Sequence, residues 1–189
     1  METVRVGVIG LGTVGGGVVK LLDSFRSRFG ELEGIDLRLV AACDIRAEVF
    51  DQLGIPSTLR AENWRAVVQS EKVDIVCELI GGTGTAYEII KSSLEAGKHV
   101  VTANKALLAE RGRELFALAK ERNLFLRFEA AVAGGIPILL AVRQGLCANK
   151  ISSVVGILNG TSNYILHAMA NERLSFEEAL KQALSLIHI

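Results

Sequence analysis

The sequence predicts an α/β protein, a doubly wound parallel sheet followed by the incomplete start of a second α/β domain. Three observations predict it. Apolar runs of strand length alternate with stretches of helical pattern from Val4 to Phe128. The 19 glycines gather at Gly10 to Gly17, Gly81 to Gly84 and Gly134–Gly135, where strands are expected to end. Half of the 189 residues are hydrophobic and 22% are charged, enough apolar material for a sizeable core.

Val4 to Ile9 reads as a buried strand and Thr13 to about Phe29 as a helix. Leu37 to Cys43 and Val73 to Leu79 read as the second and third strands. Thr85 to Ala96 is a helix stopped by Gly97. His99 to Thr102 is a short strand, Arg111 to Arg122 a helix and Leu124 to Phe128 a strand. These elements make residues 1–133 one doubly wound α/β domain.

The pattern changes after Ala133, and residues 134–189 read as part of a second domain. Pro137 can open a helix running to Leu146, because the first turn has no use for its missing N–H. Ile151 to Leu158 reads as a strand, Asn159–Gly160 as a turn, and a helix passes through Asn163 to Ala170. Ser175 and Glu178 form a capping box for a last helix. Ser185 to Ile189 offer no helix stop and no closing strand, so a truncated second domain is expected.

Charge and composition exclude several classes. Lys+Arg and Asp+Glu both number 21, so the net charge is zero and a nucleic-acid partner is not expected. No apolar run is long enough to span a membrane, and Met1 leads straight into a strand rather than a signal region. Cys43, Cys77 and Cys147 are odd in number and lack a C-x-x-C pair, which predicts reduced, buried thiols in a cytoplasmic protein.

Gly10-Leu11-Gly12-Thr13-Val14-Gly15 is a G-x-G-x-x-G run between the first strand and the first helix. The first glycine allows a tight turn, the second lets backbone N–H groups approach a pyrophosphate, and the third lets helix and strand pack closely. The free N–H groups and the helix dipole favour the anion. The second strand leads to Asp44, placed to accept hydrogen bonds from the adenosine ribose of NAD. Arg46 is placed to pair with the 2′-phosphate of NADP. Asp44 lies 29 residues after Gly15, beyond the usual spacing of about 20, and Arg26 to Ile35 supplies the extra length. The two residues argue in opposite directions, so NAD or NADP stays open.

Four further stretches belong together: Glu78-Leu79-Ile80-Gly81-Gly82, Gly97 to Ala109 (with Thr102-Ala103-Asn104-Lys105), Phe128 to Ile138, and Gly156 to Leu166 (with Asn159-Gly160-Thr161). With the glycine turn they resemble the homoserine dehydrogenase family, from Val4 to about Ala183. The resemblance implies a Rossmann-type domain followed by an α/β domain that holds substrate and forms a homodimer or higher homo-oligomer. It implies NAD(P)-linked interconversion of L-homoserine and L-aspartate 4-semialdehyde, leading to threonine, methionine and isoleucine.

Lys105 follows a strand at the carboxyl edge of the sheet, where it can neutralise phosphate or stabilise alkoxide charge. The family's matching lysine lies at the nicotinamide and substrate end, so Lys105 is the expected catalytic residue. Gly81 and Thr102 join Gly10, Gly12, Thr13, Val14, Gly15, Asp44, Arg46 and Lys105 on the cofactor side, with Asn104 as a positioning or helix-capping residue. The resemblance implies a sodium ion held by Glu129 and the carbonyls of Val132, Gly134 and Ile136; backbone N–H groups or a lysine are the alternative partners for Glu129. Asn159, Gly160 and Thr161 are expected to wall the substrate cleft.

Thr85 and Ser162 stand where the family often has proline and threonine, mild departures. The larger one is at the end, where Leu184 to Ile189 do not match the family's continuation. The substrate carboxylates and the proton-transferring lysine that the resemblance implies are not in this sequence, so the chain by itself is expected to turn over poorly or not at all. Two other readings stay open. One is a dinucleotide-binding module without turnover. The other is a semialdehyde dehydrogenase, which needs a cysteine nucleophile, yet no cysteine here has a histidine nearby.

Overall fold

β1 (Glu2–Ile9) is buried on both sides over its second half, from Val6 to Ile9, and its alternation shows how. Val6 and Val8 join Leu11, Val19, Val49 and Phe50 in one cluster. Ile9 joins Val67, Val68, Val76 and Ile89 in another. A Cβ on Gly7 would come within 2.6 Å of Val67. A strand covered on both faces belongs inside a parallel sheet flanked by helices. The computed structural model describes residues 2–157 and 159–187, which form two compact units, Met1–Arg143 and Gln144–Ile189. The division falls beyond the change in composition at Ala133.

The first unit continues through α1 (Thr13–Ser24), α2 (Arg26–Glu33), β2 (Ile35–Cys43), α3 (Glu48–Gln52) and α4 (Trp64–Gln69). It goes on through β3 (Ile75–Glu78), α5 (Gly84–Glu95), β4 (His99–Thr102), α6 (Lys105–Glu121), β5 (Leu126–Arg127) and the short α7 (Ile138–Leu140). All five strands are parallel, in the order β2-β1-β3-β4-β5. The chain builds outward from β1 first on one side and then on the other. The crevice where the order reverses lies at the carboxyl ends of β1 and β3. Beyond β2 the pairing is reduced to one bridge, Ala42 with Arg60, and Arg60 is held by Asp51 and the carbonyl of Ile55.

Several elements differ from expectation. The single helix from Thr13 is two, because the chain leaves helical geometry at Phe25. Arg26 then donates two hydrogen bonds, at 2.6 and 3.0 Å, to the buried Asp36 of β2 and pins the second helix there. α6 begins at Lys105 rather than Arg111, since the Asn104 side chain caps it. Pro137 precedes α7, which ends at Leu140 and passes into a π-helical turn over Ala141–Gly145.

In the second unit, α8 (Gly160–Asn171) and α9 (Phe176–Ile187) share a small core of Ile165, Ala168, Ala179 and Ala183. The capping box forms, with Ser175 N–H donating to Glu178 and Glu178 N–H to the Ser175 hydroxyl. The strand expected from Ile151 is absent over residues 151–157, and Leu158 lies outside the described residues. A strand needs a neighbour for its N–H and C=O groups, and the second unit contains no other strand among the described residues. Val154, Val155 and Ile157 are exposed as a result. Cys43 and Cys77 are buried as expected, while Cys147 is exposed. No helix among the described residues is long and apolar enough to cross a membrane.

Candidate functional site

The glycine turn sits at the switch point, and its three glycines answer different demands. Gly10 has a positive φ of 94°, and a Cβ there would lie 2.6 Å from the Leu79 carbonyl oxygen. A Cβ on Gly15 would lie 1.8 Å from the Gly10 carbonyl oxygen. The protein's own packing therefore requires both. Gly12 is different, because its Cβ would meet nothing closer than Arg46 Nη2 at 3.9 Å. That open space is what a pyrophosphate needs. The first turn of α1 has neither a capping side chain nor an acidic residue, so its N–H groups suit an anion. Thr13 and Val14 are exposed there.

Asp44 does not present a free carboxylate. One oxygen accepts from Leu11 N–H at 2.6 Å and from Arg46 Nη2 at 3.2 Å. The other accepts from the N–H and Nε of Arg46 at 2.9 and 3.0 Å. Burial pushes the Asp44 carboxyl up, but the Arg46 guanidinium and the N–H groups of Leu11 and Arg46 outweigh it and hold the value at about 2. Asp44 is thus the strut that fixes the glycine turn to β2. Arg46, half exposed, lies over Gly12.

On the other side of β1, a buried network ties the exits of β3 and β4 together. Glu78 is fully buried and pairs in register with Thr102. One of its oxygens accepts from Ile80 N–H at 3.0 Å, and the other from the Thr102 hydroxyl at 2.6 Å. The same hydroxyl accepts from Asn104 N–H at 3.0 Å. The Asn104 side chain donates to the Gly82 carbonyl at 2.6 Å and accepts from Leu107 N–H at 3.1 Å. Thr102, expected to line the cofactor site, is itself fully buried, with its hydroxyl spent on Glu78 and Asn104. Gly81 is exposed with φ 76° and turns the chain at the rim. Lys105 is the exposed first residue of α6 and makes no ion pair among the described residues. Sequence reasoning missed Glu78 as a site residue. The available signal was a carboxylate closing an otherwise apolar strand.

Glu129 caps α7, its Oε1 accepting from the N–H groups of Leu139 and Leu140 at 2.9 and 3.4 Å. Ala133 and Gly134 both have positive φ, so the backbone between Glu129 and Pro137 is tightly folded. Among the described residues, the carbonyls of Val132 and Gly134 accept no hydrogen bond, while that of Ile136 accepts from Ile138 N–H at 2.8 Å. One carboxylate oxygen and two unspent carbonyls are a donor set of the kind a hard monovalent cation takes. No cluster of three or more His, Cys, Asp or Glu side chains among the described residues offers an alternative metal site. Asn159, Gly160 and Thr161 belong to the second unit. There Asn159 is the N-cap of α8, accepting from Ser162 N–H at 2.7 Å, rather than part of a turn after a strand.

A parallel sheet with reversed strand order, a glycine cradle at the reversal and a helix N-terminus behind it define a dinucleotide-binding domain of the Rossmann type. Residues 10–129 match the family model "Homoserine dehydrogenase, NAD binding domain", and residues 137–187 match "Homoserine dehydrogenase". The chain belongs to the homoserine dehydrogenase family. It is 46% identical to a homoserine dehydrogenase of Neisseria gonorrhoeae over 98% of this chain and 42% of that protein. A solved homoserine dehydrogenase from Thiobacillus denitrificans superposes with a TM-score of 0.85 at 43% identity, covering 98% of this chain and 43% of that one. A hyperthermophilic archaeal homoserine dehydrogenase mutant in complex with NADPH gives a TM-score of 0.77 at 26% identity, covering 98% and 61%. The chain spans about two fifths of the length of the curated relatives it matches (42%).

Proposed function

We propose that this chain forms the nucleotide-binding part of an enzyme interconverting L-homoserine and L-aspartate 4-semialdehyde with NAD(P), on the route to threonine, methionine and isoleucine. The observation that carries the reading is the open space at Gly12 between two glycines that packing requires. The N–H groups around Gly12, Thr13 and Val14 hold the pyrophosphate, with Gly10 and Gly15 shaping the turn. The engagement of both Asp44 oxygens supports recognition of the adenosine end by Arg46, and so a 2′-phosphate, rather than by a free carboxylate. Gly81 forms the rim on the other side, and Thr102 supports it from behind.

Bound NAD(P) supplies the hydride acceptor for alcohol oxidation. Lys105 supplies a cation for the charge that develops on the substrate oxygen. Glu129 with the carbonyls of Val132, Gly134 and Ile136 holds a sodium ion, which the unspent oxygens of that loop support. Asn159, Gly160 and Thr161 are assigned to the substrate wall on family resemblance. The exposed Val154, Val155 and Ile157 support burial in a homodimer, and the two buried free thiols support a cytoplasmic setting.

Titration of this chain with NADPH and NADH, followed by nicotinamide fluorescence, tests the cofactor site. Saturable binding is expected, and its absence overturns the reading. In the enzyme that carries this chain, Lys105→Ala should lower homoserine oxidation about 100-fold with the fold intact. Unchanged turnover would remove Lys105 from the chemistry.

A further inference from the structure

We propose that Glu78 is a positioning residue that sets the nicotinamide half of the cofactor site by clamping the turns leaving β3 and β4 to each other. The proposal rests on the cofactor reading above. The sheet order supplies the geometry. Asp44 and Arg46 follow β2, on one side of the glycine turn, so the adenosine half of a dinucleotide lies toward β2. The other half must then extend over the ends of β3 and β4.

Glu78 is where those two strand ends meet. It is fully buried at the last position of β3, opposite Thr102 at the last position of β4. One oxygen holds the backbone of the Ile80–Gly82 turn and the other holds the Thr102 hydroxyl. Thr102 receives Asn104 N–H, and Asn104 reaches back to the Gly82 carbonyl. The circuit closes on itself, so the glycine rim and the start of α6 with Lys105 cannot move independently. A fully buried carboxylate is costly to retain for packing alone, since an apolar residue would fill the same space without desolvating a charge. Its two acceptor oxygens answer two donors, one in the turn after β3 and one at the end of β4.

An amide replaces it only in part. In Glu78→Gln the side-chain oxygen can keep Ile80 N–H while the amide nitrogen turns to the Thr102 hydroxyl. That hydroxyl already accepts from Asn104 N–H and must then accept a second bond, leaving its own proton without the carboxylate acceptor. One arm of the clamp is weakened. The test compares ligands that share the ADP-ribose half and differ in the nicotinamide. NADH against ADP-ribose, and NADPH against 2′-phospho-ADP-ribose, are titrated by calorimetry into this chain, with circular dichroism to confirm folding.

Glu78→Gln and Thr102→Val should each weaken the nicotinamide-bearing ligand about tenfold while changing the ADP-ribose partner less than about twofold. Thr102→Ser, which keeps the hydroxyl, should restore the natural affinity. Equal losses for both ligands in a folded variant would make Glu78 a general structural residue and overturn the proposal, as would no loss. If Glu78→Gln does not fold, equal behaviour of Thr102→Val and Thr102→Ser overturns it. Failure of the unaltered chain to bind either ligand overturns the cofactor reading and this proposal with it.

Discussion

The carbonyl oxygen of Gly10 occupies the place where a Cβ on Gly15 would stand, 1.8 Å away. Backbone cannot yield as a flexible side chain can, so Gly15→Ala should cost about 3 kcal/mol through overpacking. Gly12→Ala meets open space and should cost about 1 kcal/mol, the loss of a favourable N-cap glycine. Cofactor binding should nonetheless disappear in Gly12→Ala, because the methyl group enters the pyrophosphate space. Thermal melts beside NAD(P)H titrations separate the two effects. A Gly12→Ala protein that binds normally would place the pyrophosphate elsewhere.

Arg46 lies over Gly12 and donates three hydrogen bonds to Asp44. In Arg46→Ala the backbone bond survives, the two guanidinium bonds are lost, and Asp44 gains free acceptor capacity. NADPH affinity should fall at least about tenfold while NADH affinity holds or rises. Parallel fluorescence titrations check the split. A variant that loses both cofactors equally would show that Arg46 merely supports the turn.

Acid should loosen the first unit through Asp36 and Asp44. Arg26, with Arg38, pulls Asp36 down to about 2 against its burial. Asp44 is held at about 2 despite burial by Arg46 and two N–H groups. Both folded values lie below the ordinary 3.8, so the stability these groups contribute is present above 3.8 and lost as pH falls through about 2. Urea midpoints taken at stepped pH should fall within that window, and Arg46→Ala should flatten part of the slope. A midpoint constant across the window would contradict the assignment.

Sodium should raise the melting temperature if Glu129 holds the ion. Melts in sodium chloride and in N-methylglucamine chloride at equal ionic strength are compared. Glu129→Gln keeps an acceptor for Leu139 N–H but removes the charge, so the sodium increment should vanish with only about 1 kcal/mol of intrinsic loss. An increment that persists in the variant would exclude this loop.

Elements with strong local signals were readable in advance. His99 to Thr102 forms β4 with the boundaries read from its apolar run, and Ser175 with Glu178 closes the capping box. α3 and α4 escaped because helices of five and six residues are too short to show a period. Ile151 to Ile157 misled because β-branched residues mark a strand only where a partner strand exists. At the site, the glycine turn was legible because its constraint is local. The roles of Asp44, Thr102 and Glu78 were not, since each depends on a neighbour at least 24 residues away.

The lone bridge at Ala42 and Arg60 leaves the upstream part of β2 as the free margin of the sheet. Unpaired N–H and C=O groups there are a template on which a second chain could add as a strand. Asp36 and Arg38 alternate with apolar residues along this margin, and Arg26 from α2 is bonded onto Asp36. An incoming strand would have to lie beside a row of charge, the exposed Arg38 and the Arg26–Asp36 pair, and partly desolvate it. The two arginines that anchor Asp36 therefore also act as gatekeepers against edge-to-edge self-association, a protection the sheet needs most while the chain is folding.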